Sequence, residues 1–108
     1  MSAKLPDDAL VVRGGQNRPE DLQRRLGTHP SGVTGWSVES AAGAPLEQLA
    51  SAIPHGRIGV TTVGAVRQAG GDVIPTTGQS IHHATLTGLT PDEASRLLTP
   101  TIANPTKK

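Results

Sequence analysis

Short apolar runs closed by glycine or proline alternate along the chain with segments whose apolar residues recur at helical spacing. Ala9-Leu10-Val11-Val12-Arg13, followed by Gly14-Gly15, predicts a buried strand that stops at a turn. Pro19, Leu22, Leu26 and Gly27 describe a short helix with proline at its first position and glycine just past its end. A loop over 28–32 leads to a second strand, in which Trp36 and Val38 turn inward while Ser37 and Glu39 face solvent or a cleft. Leu46, Leu49, Ala50 and Ile53, bracketed by Pro45 and Pro54, predict a helix whose apolar face would receive Trp36.

The second half repeats the pattern. Arg57-Ile58-Gly59-Val60 predicts a strand, and Thr61 or Thr62 would cap a helix carrying Val63, Val66 and Ala69 before Gly70-Gly71. Val73-Ile74 starts another strand, a turn-rich connection covers 75–80, and His83-Ala84-Thr85-Leu86-Thr87 alternates as a half-buried strand does. Thr90-Pro91-Asp92-Glu93 combines a cap, a first-turn proline and a capping-box glutamate ahead of Ala94, Leu97 and Leu98. The expected fold is therefore a single small α+β domain over 1–98, a mixed β-sheet covered by short helices, with an extended tail over 99–108.

Composition narrows the chemistry. Trp36 is the only aromatic residue among 108, so the core rests on aliphatic side chains, and the absence of cysteine removes disulfides, thiolate metal sites and thiol nucleophiles. A net charge of +1 gives no general field for nucleic acid, although Arg13, Arg18, Arg24 and Arg25 lie close together in sequence. The first eight residues lack the apolar run of a signal peptide and no segment is long enough to cross a bilayer, so the expectation is a cytoplasmic location with no membrane partner. Neither His-x-His nor His-Glu-x-x-His occurs, so no metal site and no cofactor is expected.

The strand ending at Thr87 is the most informative stretch, because its alternation places His83, Thr85 and Thr87 on one surface. Imidazole titrates near neutrality and can move the proton of an attacking hydroxyl, which threonine can help to hold. His29, in a loop beside Ser31, would supply the opposite proton-transfer role, with Arg13 stabilising phosphate charge and Ser31 and Thr87 binding substrate. His55 reads as a turn residue and His82 as pointing away from His83. The expected activity is that of a metal-independent nuclease or phosphoesterase acting on RNA or another phosphate-containing substrate.

Three resemblances bear on this expectation. His83-Ala84-Thr85 and His29-Pro30-Ser31 resemble the paired His-x-Thr/Ser signature of two-histidine phosphoesterases. The stretch from about residue 73 to 98 resembles the final part of small bacterial ribonuclease toxins of the barnase and colicin type, which implies RNA fragmentation by its own 2′-hydroxyl, with His83, Thr85 and Arg13 in the active site. Val11-Val12-Arg13-Gly14-Gly15 followed by Ser37-Val38-Glu39-Ser40 resembles the strand-borne Arg and later Ser-x-Ser of mono-ADP-ribosyltransferases, which implies NAD binding. In this chain the spacing in the second motif is longer by one residue, and no Glu-x-Glu or Gln-x-Glu follows. A non-catalytic alternative is a toxin-neutralising or regulatory module that meets a protein partner through an exposed strand edge and the tail.

Overall fold

The computed structural model describes residues 4–76, 78 and 80–107; residues 1–3, Thr77 and Gln79 of the expected turn, and Lys108 of the expected tail lie outside the described residues. The strands are β1 (Leu10–Gly14), β2 (Gly27–Thr28), β3 (Thr34–Ser40), β4 (Arg57–Thr62), β5 (Asp72–Pro75), β6 (His83–Thr87) and β7 (Ile102–Ala103). The helices are α1 (Pro19–Arg25), α2 (Leu46–Ala50), α3 (Val63–Gln68) and α4 (Pro91–Leu98). The strands form one sheet in the order β5-β6-β3-β1-β4-β7, with β2 added to β3, and the pairings are antiparallel. The molecule is an α+β domain.

Strand alternation sorts the core into two layers. Trp36 lies opposite Leu86 and Val38 opposite Ala84, and this face packs against Leu22 of α1, Val66 of α3 and Leu98 of α4. The opposite face presents Val12 and Ile58 to Leu49 and Ala50 of α2. Trp36 is fully buried, but it belongs to the first layer rather than beside α2, and its Nε1 donates to the Leu22 carbonyl at 2.6 Å. Helical spacing shows that α2 has an apolar face and leaves open which side of the sheet it covers. Here register decides, because Trp36 and Val12 emerge on opposite faces.

The caps form as their residues dictate. Thr90 and Glu93 close a capping box on α4, and the Thr62 side chain accepts from the Ala65 N–H at the start of α3. Helix α2 stops at Ala50, and Ile53 reaches its layer from the following turn. The C-terminal segment is tied to that turn. β7 pairs with β4, and the buried Asn104 amide donates to the carbonyls of Ala50, Ile53 and His55 at 3.3, 3.2 and 3.0 Å. Residues after α4 therefore set the position of the 50–55 turn.

Two substitutions test this account of the core. Trp36→Ala should lower unfolding free energy by roughly 3–5 kcal/mol through cavity formation. Asn104→Ala should cost about 1–3 kcal/mol, because it leaves buried carbonyls without donors. Urea denaturation measures both; a Trp36 emission maximum typical of hydrated indole, or an Asn104→Ala protein as stable as the parent, would contradict the packing.

Candidate active site

The pairing of β1 with β3 covers only Val11 with Ser40 and Val12 with Glu39. Beyond these positions β1 follows β4, with Arg13 opposite Gly59 and Gly14 opposite Ile58. In the other direction β3 follows β6, with Ser37 opposite Thr85 and Gly35 opposite Thr87. The strands part, and the β1-facing edge of β3 is open until β2 closes it at Thr34 and Gly35. A fork in the sheet results.

Local sequence keeps the fork open. At Gly14 a Cβ would come within 2.4 Å of His55 Nδ1, so only glycine lets the 50–55 turn approach the end of β1 this closely. Asn17 then adopts φ 56°, and its buried amide donates to the Arg13 and Gly15 carbonyls at 3.2 and 3.3 Å. Ser95 of α4 donates to the Asn17 carbonyl at 2.7 Å. The turn after Arg13 is thus held from inside itself and from a second helix.

A cavity of about 620 Å³ occupies the fork, walled by Arg13, Gly15, Arg25, Ser37, Glu39 and His55 among others. That is within the size range of small-molecule sites. Arg13 Nη1 donates to the Ser37 carbonyl at 2.7 Å, which satisfies a backbone acceptor that the departing strand would otherwise have paired. Its Nε is buried without a partner. Burial, and after it the nearby Arg25 charge, pull the Arg13 pKa below its ordinary value, yet a guanidinium stays protonated.

Counter-charges are unevenly placed around the cavity. Arg18 and Arg24 both pair with Asp21, at 2.9 and 3.2 Å, and the Arg18 hydrogen bond holds the Asp21 carboxyl below the usual carboxylate range. Among the described residues neither Arg13 nor Arg25 has a carboxylate partner. Glu39 is nearly buried in the same cavity, and its Oε1 has no hydrogen-bond donor. The fork therefore holds two unmatched cations and one under-solvated carboxylate, an arrangement that stores unsatisfied electrostatics for a ligand.

A second cavity of about 270 Å³ adjoins the first, sharing Arg25 and Ser37 and adding Thr28, His29 and Thr85. The His29 and His83 rings lie 5.5 Å apart, tilted by 32°. Thr76 Oγ1 sits 2.8 Å from His83 Nδ1 and 3.1 Å from Thr85 Oγ1, which links imidazole to cavity wall. Ser31 bonds back to His29, its N–H donating to Nδ1 at 3.0 Å, and Thr87 donates to the Thr34 carbonyl.

Of the residues singled out from sequence, His29 and Thr85 line the smaller cavity, Ser31 bonds to His29, His83 reaches Thr85 through Thr76, Arg13 lies in the larger cavity, and Thr87 serves the β3 contact. His82 turns to α2, where Nε2 meets Gln48 Nε2 at 2.9 Å. Glu39, Arg25 and His55 complete the cavities without having been assigned to a site, and Thr76 bridges His83 and Thr85. For Glu39 the signal was present, since alternation around Trp36 placed it on the cleft side. No group of three or more His, Asp or Glu residues suited to a metal occurs among the described residues, and no helix there is long and apolar enough to cross a membrane.

No protein-family model matches the chain, and neither the curated proteins nor the solved structures contain a match to it.

The unsatisfied carboxylate has a thermodynamic consequence. Glu39→Met should raise unfolding free energy by roughly 1 kcal/mol, because a buried oxygen without a donor gives way to apolar contact. A urea titration should show a higher midpoint at unchanged slope. A lower midpoint would mean that Glu39 is satisfied in the folded state.

Proposed function

We propose that the chain is an NAD-consuming enzyme of the ADP-ribosyl-transfer type, with the dinucleotide held in the fork between β1 and β3. The observation that carries this reading is the pairing of opposite deficits in one cavity: Arg13 with a buried unpartnered N–H, and Glu39 with an unpartnered carboxylate oxygen. A pyrophosphate brings the anionic oxygens that Arg13 and Arg25 lack, through charge-assisted hydrogen bonds. Arg13 occupies the position of the strand-borne arginine in the resemblance to mono-ADP-ribosyltransferases, and Ser37 and Glu39 lie on the matching later strand. Glu39 fills the place of the acid that no Glu-x-Glu supplies.

The chemistry follows from those charges. Transfer breaks the bond between ribose C1′ and the nicotinamide nitrogen, the electron pair leaves with nicotinamide, and positive charge grows on the ribose. A fixed, largely buried carboxylate stabilises that charge without reorganising. An acceptor oxygen or nitrogen then bonds to C1′ and loses its proton. Arg13 and Arg25 hold the ligand, Glu39 faces the developing cation, and Ser37 defines the wall between the cavities.

One observation favours a second reading. The 5.5 Å separation of the His29 and His83 rings suits a base and an acid on either side of a phosphodiester, as the nuclease expectation requires. Against it, His83 Nδ1 and Thr85 Oγ1 are already engaged by Thr76 rather than presented singly.

The readings separate in parallel assays with chelator present. With NAD labelled in its nicotinamide ring, the chain should release nicotinamide. Arg13→Ala should weaken NAD binding about 10-fold or more, given the strength of a charge-assisted hydrogen bond. Glu39→Gln should lower kcat by about 10²–10³ while the dissociation constant stays within about 3-fold. RNA cleavage that disappears in His83→Ala, with no nicotinamide release by the parent chain, would replace this reading with the second.

A further inference from the structure

The smaller cavity is lined without any acidic residue, yet it is wired to an imidazole by two hydroxyls. Thr85, nearly fully buried, borders the cavity; its Oγ1 meets Thr76 Oγ1, and Thr76 Oγ1 meets His83 Nδ1. His83 in turn lies directly opposite Glu39 across the β3–β6 ladder and 5.5 Å from the His29 ring. Thr76 thus meets a hydroxyl on one side and an imidazole nitrogen on the other. Three groups in a line from a cavity to a base form a path for a proton.

We propose that the smaller cavity receives a hydroxyl acceptor and that Thr85 and Thr76 carry its proton to His83. The proposal rests on the transfer reading above and extends it to the acceptor half of the reaction. Both cavities share Ser37 and Arg25, so a ribose C1′ at their junction lies between the departing nicotinamide and the entering oxygen. The acceptor oxygen bonds to C1′ as the C1′–nitrogen bond breaks with its electron pair going to nicotinamide. The acceptor's proton passes to Thr85 Oγ1, the original Thr85 proton to Thr76 Oγ1, and the original Thr76 proton to His83 Nδ1. Each hydroxyl ends as it began, and the net change is one proton gained by His83.

Glu39 faces His83 across the ladder, and His29 lies beside its ring. A carboxylate acceptor would have no proton to send along the path, whereas a hydroxyl has one and matches the hydroxyls that line the way to His83. Water is the smallest member and methanol the simplest trap.

The test uses the full chain with NAD, in water and in water with added methanol. The parent should release nicotinamide with a kcat that falls at low pH along an imidazole limb, show a solvent deuterium isotope effect of about 2 or more, and form methyl ADP-riboside when methanol is present. Thr76→Val should lower kcat at least about 10-fold, leave KM within about 3-fold and reduce the isotope effect toward 1, and Thr76→Ser should restore all three. His83→Gln should remove the imidazole limb, which keeps the idea testable if Thr76→Val fails to fold. A folded Thr76→Val protein with unchanged kcat and isotope effect overturns the path while leaving the transfer reading intact. A parent chain that releases no nicotinamide overturns the transfer reading and the path together.

Discussion

A single unpaired edge organises this molecule. Once β1 leaves β3 after Val12 and Glu39, the β3 backbone at Ser37 faces a gap instead of a neighbouring strand. An orphan carbonyl in a half-buried gap is costly, and the Arg13 guanidinium satisfies it from the side. That solution carries a cation into the sheet, where burial weakens its hold on its proton and Arg25 adds like-charge repulsion. Structure thereby creates a demand for an anion where β1 and β3 part.

The rest of the fold supports that opening. The larger aliphatic layer, with Trp36, α1, α3 and α4, fixes β3 and β6 from one side, while the α2 layer packs on Val12 and Ile58 and leaves Ser37 of β3 exposed. Asn17 and Ser95 rigidify the turn after Arg13, and Asn104 sets the turn that brings His55 to the cavity. Positions far apart in sequence therefore hold a few polar groups in fixed geometry, as a site that stabilises charge without moving requires.

The elements were legible because each carries its own local signal. Pro19, Thr62 and Thr90 mark helix starts, and Gly14 and Gly27 mark stops, all at or within a residue or two of the observed ends. What sequence could not convey was pairing. Trp36 and α2 have complementary apolar faces yet lie on opposite sides of the sheet, since only the register of β1, β3 and β6 decides which faces coincide. The short β2 and β7 have two residues each, too few to show alternation, and both exist because longer strands offer them an edge. The site was partly visible for the same reason: alternation set His83, Thr85 and Glu39 toward one side, whereas the fork that isolates Arg13 depends on where two strands part. Arg25 showed only as one of four arginines close together in sequence, and Thr76 gave no signal, being an ordinary turn hydroxyl.

The central claim is that the β1/β3 fork is a nucleotide site, and amide chemical-shift mapping tests it most directly. Titration of the ¹⁵N-labelled chain with NAD should displace the resonances of Gly14, Gly15, Ser37 and Glu39, together with the Arg13 Nε–H signal, and leave those of α3 and β7 in place. Saturable shifts confined to the fork are the predicted result. Shifts centred elsewhere, or none up to millimolar NAD, would contradict the account.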